Sequence, residues 1–185
     1  ESQVQRMNSF TKALSRSVQR ERFWGSYLVN SKSLDILTKS NVLKYVTKKR
    51  QIKGKGRGSS SSKAENNIIS LISNLKGNEV CFLLELNKHF CNKKSTLDIG
   101  AISTIIDNLS SIVIEVLDPE HRITVSLELS CKNIRDSSAD KTLLIIVRVD
   151  KQYKNKVFCS AKAFDYDTLE LVFTGTHTKI PLKIK

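Results

Sequence analysis

The stretch STLDIGAISTIIDNLSS (95–111) carries Ile102, Ile105, Ile106 and Leu109 at helical spacing, and Ile112 and Val113 continue the stripe. So wide an apolar face must be covered along its length, and the segments after it are strand-like. RITVSLEL, KTLLIIVRVD, KVFCSAKAFD and TLELVFTGTHTKI read as four strands, with short hairpin turns at DKQYKN and DYDT. VSLEL alternates, which assigns Val125, Leu127 and Leu129 to one face; TLLIIV is apolar on both faces and is expected at the centre of the sheet. Pro119 in LDPEH stops the helix. Upstream, NIISLIS (67–73) reads as a strand that turns at LKGN, with Gly77, into EVCFLLEL (79–86). The order β-β-α-β-β-β-β predicts an α+β fold, one antiparallel sheet wrapped around one long central helix.

The charge of +13 is unevenly spread. Residues 1–64 hold 15 Lys and Arg against 3 Asp and Glu, whereas the rest of the chain holds 16 against 15. The basic third divides into an extension over 1–47, with helical segments expected at Ser9–Val29 and Ser33–Lys49, and a basic Gly/Ser-rich loop over 48–66. In that loop Lys48, Lys49, Arg50, Lys53, Lys55 and Arg57 are candidates for contact with phosphate or RNA, against the plainer reading of a solvated loop. It holds no aromatic residue on which bases would stack. The folded domain is expected over 67–185. Few acids and several Ser and Arg in the first thirty residues fit a mitochondrial presequence, so a matrix location is expected, or failing that a cytoplasmic one. No apolar run approaches the roughly 18 residues of a membrane span.

Cys81, Cys91, Cys131 and Cys159 are scattered, without C-x-x-C or a histidine at ligand spacing, so they are read as small hydrophobes and no metal is expected. His89 and His121 are read as surface residues, and His177 as structural.

Asn92 to Ser111, NKKSTLDIGAISTIIDNLSS, resembles a segment of the small acyl-CoA thioesterases of the hot-dog fold, the thioesterase superfamily member and phenylacetyl-CoA thioesterase type. Those proteins run from an Asn through five residues to His-Gly-Gly and then into a helix containing Asp-Asn; TGTHTKIP resembles their last strand. The resemblance spans about residues 67–183. It implies a hot-dog fold, homo- or hetero-oligomers formed through the sheet, acyl-CoA as ligand, and no cofactor beyond the coenzyme A of the substrate. Residue by residue, it implies that Asp107 is the catalytic carboxylate, that Asn92 and Ser126 hold substrate or water, and that the backbone N–H groups of Ile99 and Gly100 form the oxyanion hole. A helix N-terminus suits an oxyanion, since its first N–H groups are unpaired and its dipole is positive there.

The chain departs from the family at His-Gly-Gly, which reads Asp98-Ile99-Gly100. Asp98 is a good N-cap but brings negative charge to the oxyanion site, and the Ile99 side chain stands where the family has glycine. Asp107 therefore has two readings: a general base or nucleophile, or a relic held by the hydroxyls of Ser103, Ser110 or Ser111 or by a partner subunit's backbone. Two functions are compatible with these residues, and the presence of Asn92, Asp107 and Ser126 together puts the first ahead of the second. One is a thioester hydrolase acting on fatty acyl-CoA. The other is a catalytically degraded hot-dog domain serving as a structural subunit of a mitochondrial assembly such as the mitochondrial ribosome, its basic arm on RNA.

Overall fold

A computed structural model of the protein describes residues 34–37, 67, 68, 70, 71, 74–120 and 122–182. The expected helix at Ser9–Val29, the rest of Ser33–Lys49 and the phosphate candidates Lys48, Lys49, Arg50, Lys53, Lys55 and Arg57 lie outside the described residues, as does His121.

Six antiparallel strands form one sheet, β1 (Leu34–Leu37), β2 (Glu79–Glu85), β3 (Thr124–Asn133), β4 (Thr142–Tyr153), β5 (Lys156–Asp165) and β6 (Leu171–Pro181), in the spatial order β1-β2-β4-β5-β6-β3. Helix α1 (Ile99–Leu117) lies between β2 and β3 in sequence and packs into the inner face of the sheet. Its stripe is the one the spacing predicts: Ile102, Ile105, Ile106, Leu109, Ile112 and Val113 are all buried. Burying each such side chain stabilises by about 1.5–3 kcal/mol relative to exposure. Opposite them stand Val80, Phe82 and Leu84 of β2, Leu143, Ile145 and Val147 of β4, and Ala161 and Ala163 of β5. TLLIIV is central as expected, since β4 lies between β2 and β5.

From β2 onward the strands and the long helix follow the predicted order, but the first predicted strand, 67–73, is not one. Residues 67, 68, 70 and 71 are helical, not extended. Ile68 and Leu71, at i and i+3 on these helical residues, and Leu75 beyond them pack on Cys81, Leu83, Leu144 and Tyr166 on the outer face of the sheet. The missing strand comes from Leu34–Leu37, inside a segment expected to be helical; it pairs with β2 from Leu34↔Leu84 to Leu37↔Cys81. A short apolar run such as LDIL satisfies either period, and the free edge of β2 decides between them. The sheet therefore begins before residue 67.

Strand β3 also departs from the expected pattern. Its register against β6 shifts between Ser126 and Glu128, a β-bulge at Leu127. Ser126 pairs with Lys179 and Leu129 with His177, both inward-facing on β6, whereas Val125 pairs with Ile180. Val125, Leu127 and Leu129 thus do not share one face, and at this outer edge of the sheet all three are exposed. Cys81 and Cys159 are buried, and burial pushes both thiols up to about 12; Cys91 and Cys131 are half-buried. No helix among the described residues is long and apolar enough to cross a membrane.

Gly175 sets how closely α1 approaches β6. A Cβ there would collide with Ile106 Cδ1 and lie 2.9 Å from the Ser130 carbonyl oxygen. Gly175→Ala is expected to destabilise the fold by about 1–3 kcal/mol, as overpacking does, while Gly77→Ala, where an added Cβ meets nothing within 4 Å, leaves the urea midpoint unchanged.

Candidate functional site

Asp107 lies midway along α1, with its side chain 45% exposed, on the flank of the helix that faces β3 and β6. Its Oδ1 accepts from Ser126 Oγ at 3.0 Å and from Lys179 Nζ at 2.8 Å. Lys179 Nζ also lies 3.2 Å from Ser126 Oγ, which closes a triangle of carboxylate, ammonium and hydroxyl. Pairing of Ser126 with Lys179 across β3 and β6 puts both on the face that looks at the helix. Partial burial opposes ionisation of Asp107, but the Lys179 ammonium, donating to the carboxylate and attracting it, together with Ser126, holds the carboxyl below its ordinary range.

Behind this triangle sits His177, fully buried on β6. Its Nδ1 lies 2.7 Å from Ser110 Oγ, and its Nε2 lies 3.6 Å from Asp107 Oδ1 with no hydrogen-bond partner. Ser110 also donates to the backbone carbonyl of Asp107 at 3.1 Å. A hydroxyl has one proton to give. While Ser110 gives it to that carbonyl, His177 must carry its own proton on Nδ1, and Nε2 turns a bare lone pair toward the carboxylate. Burial, with the nearby Lys179 charge, pushes the imidazole down to about 4 despite the Asp107 carboxylate.

The oxyanion hole expected at the helix start is half occupied. Asp98 caps α1, and its Oδ1 accepts from the Gly100 N–H at 2.8 Å. That cap is favourable for the helix, but it commits one of the two expected donors to a carboxylate and sets a negative charge beside the other. The Ile99 side chain is half-exposed over the same turn. Asn92 turns into its own loop: Oδ1 accepts from Lys94 N at 2.8 Å, and Nδ2 donates to Thr96 Oγ1 at 2.9 Å. Of the expected site residues, only Asp107 and Ser126 are brought into contact.

The serines expected to hold a relic carboxylate do not touch it. Ser110 and Ser111 bond the backbone carbonyl of Asp107, and Ser103 bonds that of Ile99. The holder is Lys179, which sequence reasoning missed. The signal was present in the last strand: alternation from Phe173 through Gly175 turns His177 and Lys179 inward, and an inward lysine requires an anion across from it. His177 is buried against the helix, and His89 is exposed.

The buried imidazole gives stability a predictable pH dependence. Between about pH 4 and pH 6.5 the unfolded chain binds a proton at residue 177 that the folded chain does not, so stability rises with pH across that window. Urea midpoints measured from pH 4 to pH 7 are expected to climb for the unaltered chain and to climb less steeply for His177→Gln.

No protein-family model and no curated protein matches the chain. Solved structures do. Thioesterase superfamily member 2 of Mus musculus superposes with a TM-score of 0.59 at 14% identity, over 90% of this chain and 95% of that one. The zebrafish thioesterase superfamily member 2 gives 0.54 at 19% identity, over 79% of this chain and 99% of that one. A hypothetical thioesterase of Streptococcus pneumoniae, solved with coenzyme A, gives 0.54 at 16% identity, over 60% of this chain and 87% of that one. With its antiparallel sheet wrapped around α1, the chain has the hot-dog fold of these thioesterase-superfamily proteins.

Proposed function

We propose that this chain is a hot-dog domain of thioesterase type in which hydrolysis has been disabled, and that it serves as a structural subunit of a mitochondrial assembly such as the mitochondrial ribosome. The observation that carries this reading is the Lys179–Asp107 ion pair. Lys179 is buried, and removing its partner would leave an uncompensated ammonium in the interior. A carboxylate needed in that way is a structural counter-ion, and the cation on it weakens it as a base. The Asp98 cap points the same way, because it occupies the Gly100 N–H that an oxyanion would need. The basic arm over 1–64 suits contact with an RNA backbone, and its composition suits a mitochondrial location.

The second reading is hydrolysis of fatty acyl-CoA, with Asp107 acting on the thioester and Ser126 positioning water. It is favoured by the Ser126–Asp107 hydrogen bond, by the exposure of the carboxylate and by the coenzyme A in the Streptococcus pneumoniae neighbour.

One pair of measurements separates the two. The full chain is expected to turn over no acyl-CoA from acetyl to palmitoyl, and Asp107→Asn to lower stability by about 3 kcal/mol because Lys179 is stranded. Turnover that disappears in a stably folded Asp107→Asn variant would establish the hydrolase instead.

Oligomers through the sheet are part of the same proposal. β3 is an edge strand of ten residues with exposed Val125, Leu127 and Leu129, the kind of edge that another strand covers. Sedimentation of the full chain is expected to give a species larger than the monomer, and Leu127→Lys to shift it toward monomer; a monomeric unaltered chain would refute the edge contact.

A further inference from the structure

The near-neutral charge balance of residues 65–185 conceals a segregation that the sheet makes visible. On the inner face, β5 and β6 present Val157, Cys159, Ala161 and Phe173 to the helix. Their neighbours in sequence must therefore point outward. The outer face has two halves. Over β2 and β4 it is apolar and covered by Ile68, Leu71 and Leu75; over β5, β6 and β3 the described residues leave it bare.

The bare half is built in rows across three strands. Lys132, Thr174 and Lys162 stand side by side, and Ser130, Thr176 and Ser160 form the next row. These six residues line an open depression of about 200 Å³. Further along β5 the face continues with Phe158, 36% exposed, paired with Lys151, and then with Lys156 paired with Tyr153, 54% exposed. The bulge between Val149 and Lys151 puts Lys151 and Tyr153 on this outer side. Lys151 and Lys154 each hold their Nζ 5.4 Å from the centre of the Tyr153 ring.

None of the five lysines of this surface has an acidic partner among the described residues. Two acids share the face, Glu128, and Asp150, which is already bonded to Arg148 and Ser160. Other acids, Asp136, Asp140, Asp167 and Glu170, sit in the loops after β3 and β5, at the far end of the strands from the basic β4–β5 turn. Unpaired cations, hydroxyl rows and two exposed rings on a sheet face are the parts of a single-strand platform: the cations meet phosphates, and the rings stack on bases.

We propose that the outer face of β5, β6 and β3, with the β4–β5 turn, binds single-stranded RNA. Basic residues of the arm over 1–64 would add affinity, but the arm's basic loop carries no aromatic residue and cannot supply stacking. The rings distinguish this face from a merely cationic surface. The inference does not depend on whether Asp107 hydrolyses anything, because that site lies on the opposite face of the sheet.

The test is the affinity of the full chain for fluorescein-labelled oligo(U) across a salt series, with an RNA duplex as competitor. The double variant Tyr153→Leu with Phe158→Leu is expected to weaken oligo(U) binding by about tenfold or more while leaving the salt dependence unchanged. Lys132→Gln with Lys162→Gln is expected to reduce the slope of log affinity against log salt by about 0.7 for each phosphate that no longer meets a cation. All four side chains are exposed, so the thermal midpoint is expected to stay put in both variants. Neutralising Lys48, Lys49, Arg50, Lys53, Lys55 and Arg57 together lowers affinity but leaves the effect of the two rings intact. The proposal is overturned if the ring variant binds as the unaltered chain does, or if the duplex competes as well as oligo(U); either result would take RNA stacking away from this face.

Discussion

Burial of one face of α1 against one face of a sheet is the constraint on which the rest of this structure depends. The helix is the one long element that the sheet encloses among the described residues, so each strand beneath it must offer side chains of a size that lets it approach. On β5 the inward positions shrink to Ala161 and Ala163, and on β6 to Gly175, beneath Ile106. That close approach also brings the mid-helix carboxylate within hydrogen-bond range of β3 and β6. Packing comes first here, and the polar cluster is a product of it.

The cluster itself is a small electrostatic balance. Asp107 is half-exposed, Lys179 is buried, and His177 behind them is kept neutral by burial and by its cationic neighbour. Water can solvate the carboxylate if the lysine is removed, whereas the lysine, if the carboxylate is removed, keeps the Ser126 hydroxyl but no counter-charge. The dependence is therefore lopsided. Such a pair suits a structural tie between helix and sheet better than a site where the carboxylate must change its bonding during a reaction.

Much of the fold was legible in the sequence because it rests on periodicity. The helix stripe, the Asp98 cap, the central position of TLLIIV and the succession of elements from β2 onward all derive from spacing and residue type. The illegible parts depended on competition between distant segments. LDIL became a strand because β2 had an open edge, and residues 67, 68, 70 and 71 became helical because an apolar patch on the outer face needed a cover. Of the site, Asp107 and Ser126 were legible from the family resemblance and do meet. Lys179 was missed: alternation along β6 turns it inward, but the carboxylate that it meets lies on α1, and no local pattern names so distant a partner.

The bulge at Leu127 links these observations. Without it, a strict two-residue alternation would put Ser126 on the same side as Glu128 and Ser130, and Leu129 and Cys131 on the other. The extra residue resets the phase of the strand, so that Ser126 and the later pair Leu129 and Cys131 all look toward the helix. The two segments of β3 are thereby decoupled: the part that anchors packing and the part that meets Asp107 can vary in sequence without either dictating the parity of the other. Deleting Leu127 would leave Ser126, Leu129 and Cys131 facing the helix under plain alternation, whereas an insertion or deletion elsewhere in the strand would turn one half of it over without changing any side chain's chemistry.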